Sequence, residues 1–266
     1  MQSQDSPVFL SLPGTIAPVG IWPFFTTRRG GVSRGGHAGW NLALHVNDDL
    51  DLVQNNRALL QRSLPSQVHA LCLVNQVHGV RTVVASPGQR PPEADALVTD
   101  EPGVAIAIMT ADCAPVLLYD PVRKIIGAAH AGWRGALSGI IESCIDLMET
   151  MGANSLHMKA IIGPTIRPPY YEVDQTFYDQ FINYHNSEQG IIVEKFFLSL
   201  ATRGRFQFNL PNYIKARLCE RGVPQGGITD VGMCTFQNEE LFFSHRRSTR
   251  KGETSCGRQM GGIVLV

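Results

Sequence analysis

Three residues of this sequence, His78, Cys113 and His130, have the side chains and the surroundings of metal ligands. Each lies at the end of an apolar run, among small residues that let other groups approach closely. Two imidazoles and one thiolate form a ligand set for zinc that leaves the fourth tetrahedral position open, which is typical of catalytic zinc. The first hypothesis is therefore a catalytic zinc site, in which the metal lowers the pKa of a bound water to near neutrality.

The same residues also permit chemistry without a metal. In this hypothesis Cys113 is a nucleophile, His130 or His78 is its base, and Asp112 or Asn75 orients the base. The protein would then be a metal-free Cys/His hydrolase or amidase. Spacing alone does not decide between the two hypotheses.

Copper oxidase chemistry fits the sequence poorly. A multicopper oxidase needs many histidine ligands, often in His-x-His pairs, whereas this chain has eight histidines and no such pair. A Cys/His site for zinc can nonetheless take up copper as a substitute, because copper(II) outcompetes zinc for such ligands. A zinc-binding module without catalytic activity is a further class, which the open coordination position disfavours.

Other polar residues lie in glycine-rich or turn segments and are candidate substrate contacts. Arg28, Asn41 and Gln76 belong to such segments. Arg134 lies near the start of a predicted helix, whose amino-terminal dipole favours an anion. Each of these side chains has an alternative role as a turn cap, a structural hydrogen bond or a surface salt bridge.

Two acidic residues, Asp95 and Asp112, are embedded in apolar runs, where a carboxylate without partners is costly to bury. Asp112 directly precedes Cys113, so we count it among the candidate substrate contacts. Both residues have structural hydrogen bonding as the simpler alternative.

Length and composition are those of a globular protein. The 266 residues, 44% of them hydrophobic, can bury a substantial core as one large domain or two small ones. Lys and Arg balance Asp and Glu at 23 each, and the zero net charge argues against nucleic-acid or membrane-surface partners. The six cysteines are dispersed without a CxxC pair, and residues 1–7 carry no targeting pattern. We therefore expect a soluble, cytosolic (cytoplasmic) protein with reduced thiols.

Hydrophobic periodicity predicts mainly strands, with about four helices between them. The predicted strands are Trp22–Thr27, His69–Val74, Arg81–Val84, Ala94–Thr99, Val104–Met109, Pro115–Tyr119, Lys124–Ala129, Met158–Ile162, Ile228–Val231, Leu241–His245 and Gly261–Val266. The predicted helices are Asp49–Ser63, Trp133–Met151, Asp174–Tyr184 and Asn209–Glu220. Several strands are apolar almost throughout, which indicates a sheet covered on both faces. Without strict βαβ alternation, this order favours an α+β layered sandwich over a doubly wound fold.

A series of motifs covers nearly the whole chain and resembles the YfiH/laccase-domain family. Members of that family have been called multicopper polyphenol oxidases and are now regarded as purine nucleoside phosphorylases. The motifs are Thr26–Ser33, Trp40–His45, Asn75–Gly79, Ala94–Asp100, Thr110–Pro115, Ala128–Gly135, Ile162–Pro164 with Tyr171–Val173, and Phe242–Arg247. The chain departs from the family pattern at 167–170 and 255–258, and neither stretch contains a candidate metal ligand.

The resemblance implies one domain over residues 1–266, with a layered α/β/β/α sandwich of mixed sheets. It implies zinc bound by His78, Cys113 and His130, with purine nucleosides and phosphate as small-molecule partners. The implied activity is phosphorolysis of adenosine, inosine and 5′-methylthioadenosine, with adenosine deamination as a second reaction. The oligomeric state is left open.

The two implied reactions make different demands on the site. Deamination needs a hydroxide at C6 of the purine, which a zinc site supplies at neutral pH. Phosphorolysis needs phosphate positioned against C1′ by cationic and amide donors. By motif, the candidate donors are Arg28, Asn41, Gln76 and Arg134.

Overall fold

Two β-sheets packed face to face form the centre of the molecule. The computed structural model describes residues 8–12, 18–186 and 191–266. Residues 1–7, for which the sequence predicts no targeting signal, lie outside the described residues. Among the described residues, we find no helix with both the length and the apolar composition needed to cross a bilayer.

The described residues contain thirteen named strands in three sheets. The strands are β1 Ile21–Phe25, β2 Ala70–Cys72, β3 Thr82–Val84, β4 Ala96–Thr99, β5 Val104–Thr110, β6 Ala114–Asp120, β7 Ile125–Ala131, β8 Lys159–Ile162, β9 Glu172–Asp174, β10 Phe197–Ser199, β11 Arg205–Phe208, β12 Ile228–Asp230 and β13 Gln259–Leu265. One sheet has the order β1-β13-β5-β2, and a larger one has the order β12-β8-β6-β7-β4-β3. Both contain parallel and antiparallel pairs, and a small third sheet has the order β10-β11-β9.

Six α-helices lie among the described residues. They are α1 Leu50–Ser63, α2 Trp133–Ser138, α3 Ile140–Thr150, α4 Gln175–Asn186, α5 Leu210–Glu220 and α6 His245–Arg250. Capping residues explain where α1 and α5 begin: the Asp49 side chain accepts backbone N–H bonds of the first α1 turn, and Asn209 does the same for α5. The predictions for both helices are confirmed.

Three hydrophobic clusters lie between the layers. Each large sheet contributes to two of them, because successive strand residues face opposite sides of a sheet. Between the two large sheets, Ile106 and Ile108 of β5 pack with Leu117 of β6. On the outer face of the four-stranded sheet, Ala105 and Ala107 pack in the cluster that contains Leu60 of α1. Residues of β6 and β7 pack outward against α3, in the cluster that contains Ile141, Cys144 and Met148. The resulting α/β/β/α sandwich with mixed sheets confirms the predicted fold class.

Two of the predicted elements are wrong. The single helix predicted over Trp133–Met151 is interrupted at Gly139, whose φ of 106° ends α2 before α3 begins. The strand predicted over Leu241–His245 does not form. The Phe243 backbone is hydrogen-bonded on both sides by the Gln259 amide, which replaces a neighbouring strand. Ser244 then caps α6 by accepting from the Arg247 N–H.

Candidate metal centre and active site

The structure brings His78, Cys113 and His130 together at one end of the two large sheets. Their ligand atoms all lie within 4.8 Å of one another, and the two imidazole rings meet edge to face with centroids 4.8 Å apart. His78 lies in the loop between β2 and β3, and His130 lies in β7 opposite Pro115 of β6. Cys113 lies in the turn where the chain leaves β5 in one sheet and enters β6 in the other.

The turn that presents Cys113 is held by Asp112. The Asp112 backbone has a φ of 88°, which side chains other than glycine rarely adopt. Its carbonyl oxygen accepts from the Thr165 hydroxyl at 2.7 Å. Its carboxylate accepts from the Thr235 hydroxyl and from the Arg246 backbone N–H, both at 2.6 Å. These bonds from three other segments hold the strained turn in place.

A second carboxylate, Asp95, lies behind the two histidines. It is fully buried and accepts a 2.8 Å hydrogen bond from His130 Nδ1. The loop that carries His78 also donates backbone N–H groups to it. Burial opposes its charge, but the bonds from His130 and Gly79 lower the pKa of Asp95. The residue whose side chain orients a histidine of the site is therefore Asp95. The sequence analysis had considered Asp112 and Asn75 for this role.

Cys113 and His130 favour a thiolate and a charged imidazole when no metal is bound. Burial alone would raise the pKa of Cys113, but the adjacent His130 and His78 outweigh it and lower the pKa to about 6. Burial likewise opposes a charge on His130, but Cys113 and Asp95 raise its pKa to about 9. A thiolate is the form of cysteine that binds a metal or attacks an electrophile.

The residues fit a zinc ion. The Asp95 carboxylate takes the Nδ1–H of His130, which leaves Nε2 free as a ligand. A Cβ at Gly132 would lie 2.9 Å from Cys113 Sγ and 3.3 Å from the His78 ring, so only glycine leaves this space open. In the described part of the chain this is the one cluster of three or more potential metal-ligating side chains.

Two cavities meet at the triad, and His78, Ala111, Cys113 and His245 line both of them. The first cavity has a volume of about 270 Å³ and is otherwise lined by His45, Gln76, Met109, Thr110, His130 and Arg258. The second has a volume of about 300 Å³, and its wall includes Asp112, Trp133, Arg134, Ile166, Tyr171 and Arg246. The two cavities therefore share part of their walls, at His78 and Cys113 of the triad.

The structure places some of the predicted substrate contacts at these cavities and others away from them. Asp112 and Arg134 line the second cavity. Gln76 lines the first, but its amide donates to and accepts from the Met109 backbone at 2.8 Å in both directions. Gln76 therefore supports the cavity wall by joining the His78 loop to β5.

Arg28 and Asn41 line neither cavity, so the expectation of direct substrate contact does not fit their positions. The Arg28 guanidinium donates to the Ala38 and Glu239 carbonyls and lies over the Phe243 ring. Asn41 is fully buried and bonds the Asp48 carboxylate, and its own oxygen accepts from the Arg258 N–H. Both residues hold loops together.

Four basic side chains at the cavities were not predicted as substrate contacts: His45, His245, Arg246 and Arg258. His245 ends the stretch that the sequence analysis assigned to a strand, and Arg246 follows it in the motif Phe242–Arg247. His45 ends one of the family motifs. Arg258 ends the 255–258 stretch, which departs from the family pattern, and it lies directly before β13, which begins beside β5.

Sequence comparison matches residues 23–266 to the family described as multi-copper polyphenol oxidoreductase laccase. The purine nucleoside phosphorylase of Deinococcus radiodurans is 40% identical over 242 residues, which cover 91% of this chain and 88% of that protein. A purine nucleoside phosphorylase of Pseudomonas aeruginosa is 37% identical over 240 residues, which cover 90% of this chain and 93% of its own.

Structural comparison agrees. Neisseria meningitidis protein NMB0706 superimposes with a TM-score of 0.83 at 32% identity, covering 98% of this chain and 99% of its own. The hypothetical protein YfiH of Bacillus licheniformis superimposes with a TM-score of 0.84 at 33% identity, covering 92% and 93%. The same layered fold is therefore present in both solved structures.

Proposed function

The chain belongs to the family described as multi-copper polyphenol oxidoreductase laccase, and from this premise we propose that it is a zinc-dependent purine nucleoside phosphorylase. The observation that carries the proposal is that His78 and Cys113 of the triad line both cavities, while His130 lines the first. Phosphorolysis joins two substrates, a nucleoside and phosphate, and a site with two compartments suits it. The names of the Deinococcus and Pseudomonas relatives support this assignment.

We assign the second cavity to phosphate. Arg134 and Arg246 both line it, and two guanidiniums supply the charge and the paired donors that phosphate needs. The guanidinium carbon of Arg134 lies 4.3 Å from the centroid of the Trp133 ring, and that of Arg246 lies 5.4 Å from the Tyr171 ring. The aromatic rings thus support the arginines through cation–π contacts.

Arg246 is held in place by a further bond, from its Nη1 to the Glu172 carbonyl at 2.8 Å. The Asp112 carboxylate in the same wall has both oxygens engaged, one by Thr235 and one by the Arg246 N–H. Its charge is therefore partly compensated before an anion enters.

We assign the first cavity to the nucleoside. Its wall combines Met109 and Ala111 with His45, His245 and Arg258, which suits a flat heterocycle with polar edges and a hydroxylated sugar. Burial and the nearby arginines Arg258 and Arg57 lower the pKa of His45. The lowered pKa favours the neutral imidazole, which can both donate and accept a hydrogen bond.

In this proposal His78, Cys113 and His130 would hold the metal. The metal would supply Lewis acidity, including for adenosine deamination as a second reaction. Arg134 and Arg246 bind phosphate and orient it toward C1′ of the ribose. The first cavity holds adenosine, inosine or 5′-methylthioadenosine with the glycosidic bond facing the phosphate. The chain's contribution to the rate is then mainly proximity and charge neutralisation.

A metal-free hydrolase is the second candidate function, because one observation favours it. The thiol of Cys113 interacts with the imidazole of His130, which in turn is hydrogen-bonded to the carboxylate of Asp95. The pKa of the thiol is lowered. Such an arrangement activates a nucleophile without a metal. Activity that survives removal of all metal by a chelator would favour this candidate over the phosphorylase.

Product analysis with inosine tests the proposed function. Purified holoprotein of known metal content is incubated with inosine, with and without inorganic phosphate, and the sugar product is identified by chromatography. We expect hypoxanthine release to depend on phosphate and to yield ribose 1-phosphate. Equal rates without phosphate, with free ribose as the product, would show a hydrolase and overturn the proposal.

We propose in addition that residues 1–266 form one domain and that the protein works in the cytoplasm. All six cysteines are free, which agrees with a reducing compartment. Limited proteolysis and a single cooperative thermal transition would support one domain. Fractionation of the cells that make the protein would test its location.

A further inference from the structure

The buried Asp95 carboxylate accepts hydrogen bonds from two candidate metal ligands, from the ring of His130 and from the backbone of His78. Asp95 lies directly before β4 and has no exposed surface. His130 is its neighbour across the sheet, since the His130 backbone N–H donates to the Asp95 carbonyl at 2.7 Å. The carboxylate then extends toward the loop that carries His78.

Four N–H groups converge on this carboxylate. Oδ1 accepts from His130 Nδ1 at 2.8 Å and from the His78 backbone N–H at 3.0 Å. Oδ2 accepts from the Gly79 N–H at 2.6 Å and from the Val77 N–H at 3.2 Å. Both oxygens therefore act only as acceptors, and each receives two donors.

We propose that Asp95 is the positioning residue of the metal centre, acting on His130 through its ring and on His78 through its backbone. The inference rests on the proposed metal site. An ionised carboxylate cannot donate, so His130 Nδ1 carries the proton and Nε2 is left as the ligand nitrogen. The carboxylate also gathers three successive N–H groups around His78, whose φ of 60° is rare for a side chain other than glycine.

The neutral isostere of Asp95 cannot reproduce this arrangement. In Asp95→Asn one of the two oxygens becomes an NH₂ group, so two of the four donors face another donor. If the amide nitrogen faces His130, the ring must present Nδ1 as an acceptor and place its proton on Nε2, the ligand nitrogen. If it faces Val77 and Gly79, the 77–79 turn loses its anchor and His78 shifts. Both orientations weaken the metal site.

Asp120 provides a matched control within the same sheet. It is also fully buried, and its carboxylate also accepts backbone N–H groups, those of Val122, Arg123 and Asn154. It ends β6, whereas Cys113 directly precedes that strand, so about 20 Å of extended chain separates them. Asp120→Asn therefore removes the same chemical group from a similar environment without touching the triad.

The experiment compares zinc affinity in the full-length wild type, Asp95→Asn and Asp120→Asn by competition with a chromophoric chelator. Thermal unfolding of each protein is recorded alongside. We expect Asp95→Asn to bind zinc about 10- to 100-fold more weakly, the range found for groups that orient metal ligands. Asp120→Asn should keep wild-type affinity even where its thermal stability falls. Equal affinities in Asp95→Asn and the wild type would overturn the inference.

Two further readouts complete the test, and the first uses only the wild type, so it does not depend on how well the variant folds. In wild-type protein with ¹⁵N-labelled histidine, we expect His130 Nδ1 to carry the proton in the zinc-loaded state. A proton on Nε2 of His130 would overturn the inference. The absorption bands of cobalt(II)-loaded Asp95→Asn should differ from those of the wild type, since the ligand geometry changes, and identical bands would count against it. A wild type that binds no metal would instead refute the proposed metal site itself.

Discussion

The Nε2 atom of His78 and the Sγ atom of Cys113 lie 4.0 Å apart, although 35 residues separate them in the chain. The β5–β6 turn, which carries Cys113, joins the two large sheets. The loop that carries His78 also joins them, because it connects β2, an edge strand of one sheet, to β3, an edge strand of the other. The two segments are far apart in the sequence, so it is the packing of the two sheets that brings the metal ligands together.

Replacing Cys113 with alanine should abolish stoichiometric zinc binding while leaving the fold intact. The thiolate is one of three ligands, whereas the strands on either side of it bury their own apolar surface. Elemental analysis gives the metal content per chain, and circular dichroism reports the fold. Cys219→Ala is the matched control, since Cys219 is a free, partly exposed cysteine in α5. A full equivalent of tightly bound zinc in Cys113→Ala would contradict the assignment.

Replacing Arg246 or Arg134 with glutamine should raise the KM for phosphate more than the KM for inosine. Each substitution removes a charge-assisted interaction worth about 1.5–3 kcal/mol, which corresponds to roughly tenfold or more in affinity. Steady-state kinetics with one substrate varied at a time separates the two constants. Arg250→Gln serves as the control, because Arg250 packs on Phe236 outside both cavities. An increase confined to the KM for inosine would reverse our assignment of the cavities.

Alkylation of the metal-free protein by iodoacetamide should select Cys113 over Cys144. The thiolate is the reactive form, so the rate rises as pH increases through the pKa. For Cys113, with its pKa lowered to about 6, the rate should rise between about pH 5 and pH 7 and then level off. Burial raises the pKa of Cys144 to about 12, so it should stay unlabelled at neutral pH.

Peptide mass spectrometry at a series of pH values measures this labelling. Zinc should protect Cys113, because the thiolate is then a ligand. A labelling rate that is still rising steeply at pH 8 would indicate an ordinary thiol and contradict the lowered pKa.

Phenol oxidation should be weak or absent in zinc-loaded protein and should require added copper. Only two of the eight histidines, His78 and His130, belong to the metal cluster found among the described residues. Such a site does not provide the several copper ions that four-electron reduction of oxygen requires, although copper(II) can displace zinc from it. Oxygen uptake with a phenol, by protein of known metal content, checks this. Fast turnover by protein that contains zinc and no detectable copper would reopen the oxidase function.

Hydrophobic periodicity in the amino-acid sequence was sufficient to predict an α+β layered sandwich, and the family resemblance supplied the α/β/β/α order of its layers. The strands β4 to β7 are continuous apolar runs, and such runs are stable only where a sheet is covered on both faces. Local capping chemistry likewise predicted where one helix begins, at Asn209 before α5. The types and contexts of His78, Cys113 and His130 pointed to a metal site because their side chains alone determine ligand chemistry.

Only the tertiary structure decided which polar residues face the site. Arg28 and Asn41 lie in motifs as prominent as those of the triad, yet their side chains bond to neighbouring loops. Arg258 reaches the first cavity from the far end of the chain, and Asp95 reaches His130 and the His78 loop across β4 and β7. The physical reason is that hydrogen-bond partners depend on the direction of a side chain in the folded protein. Strand pairing between residues far apart in sequence determines that direction, so it cannot be predicted from the residues next to the side chain in the sequence.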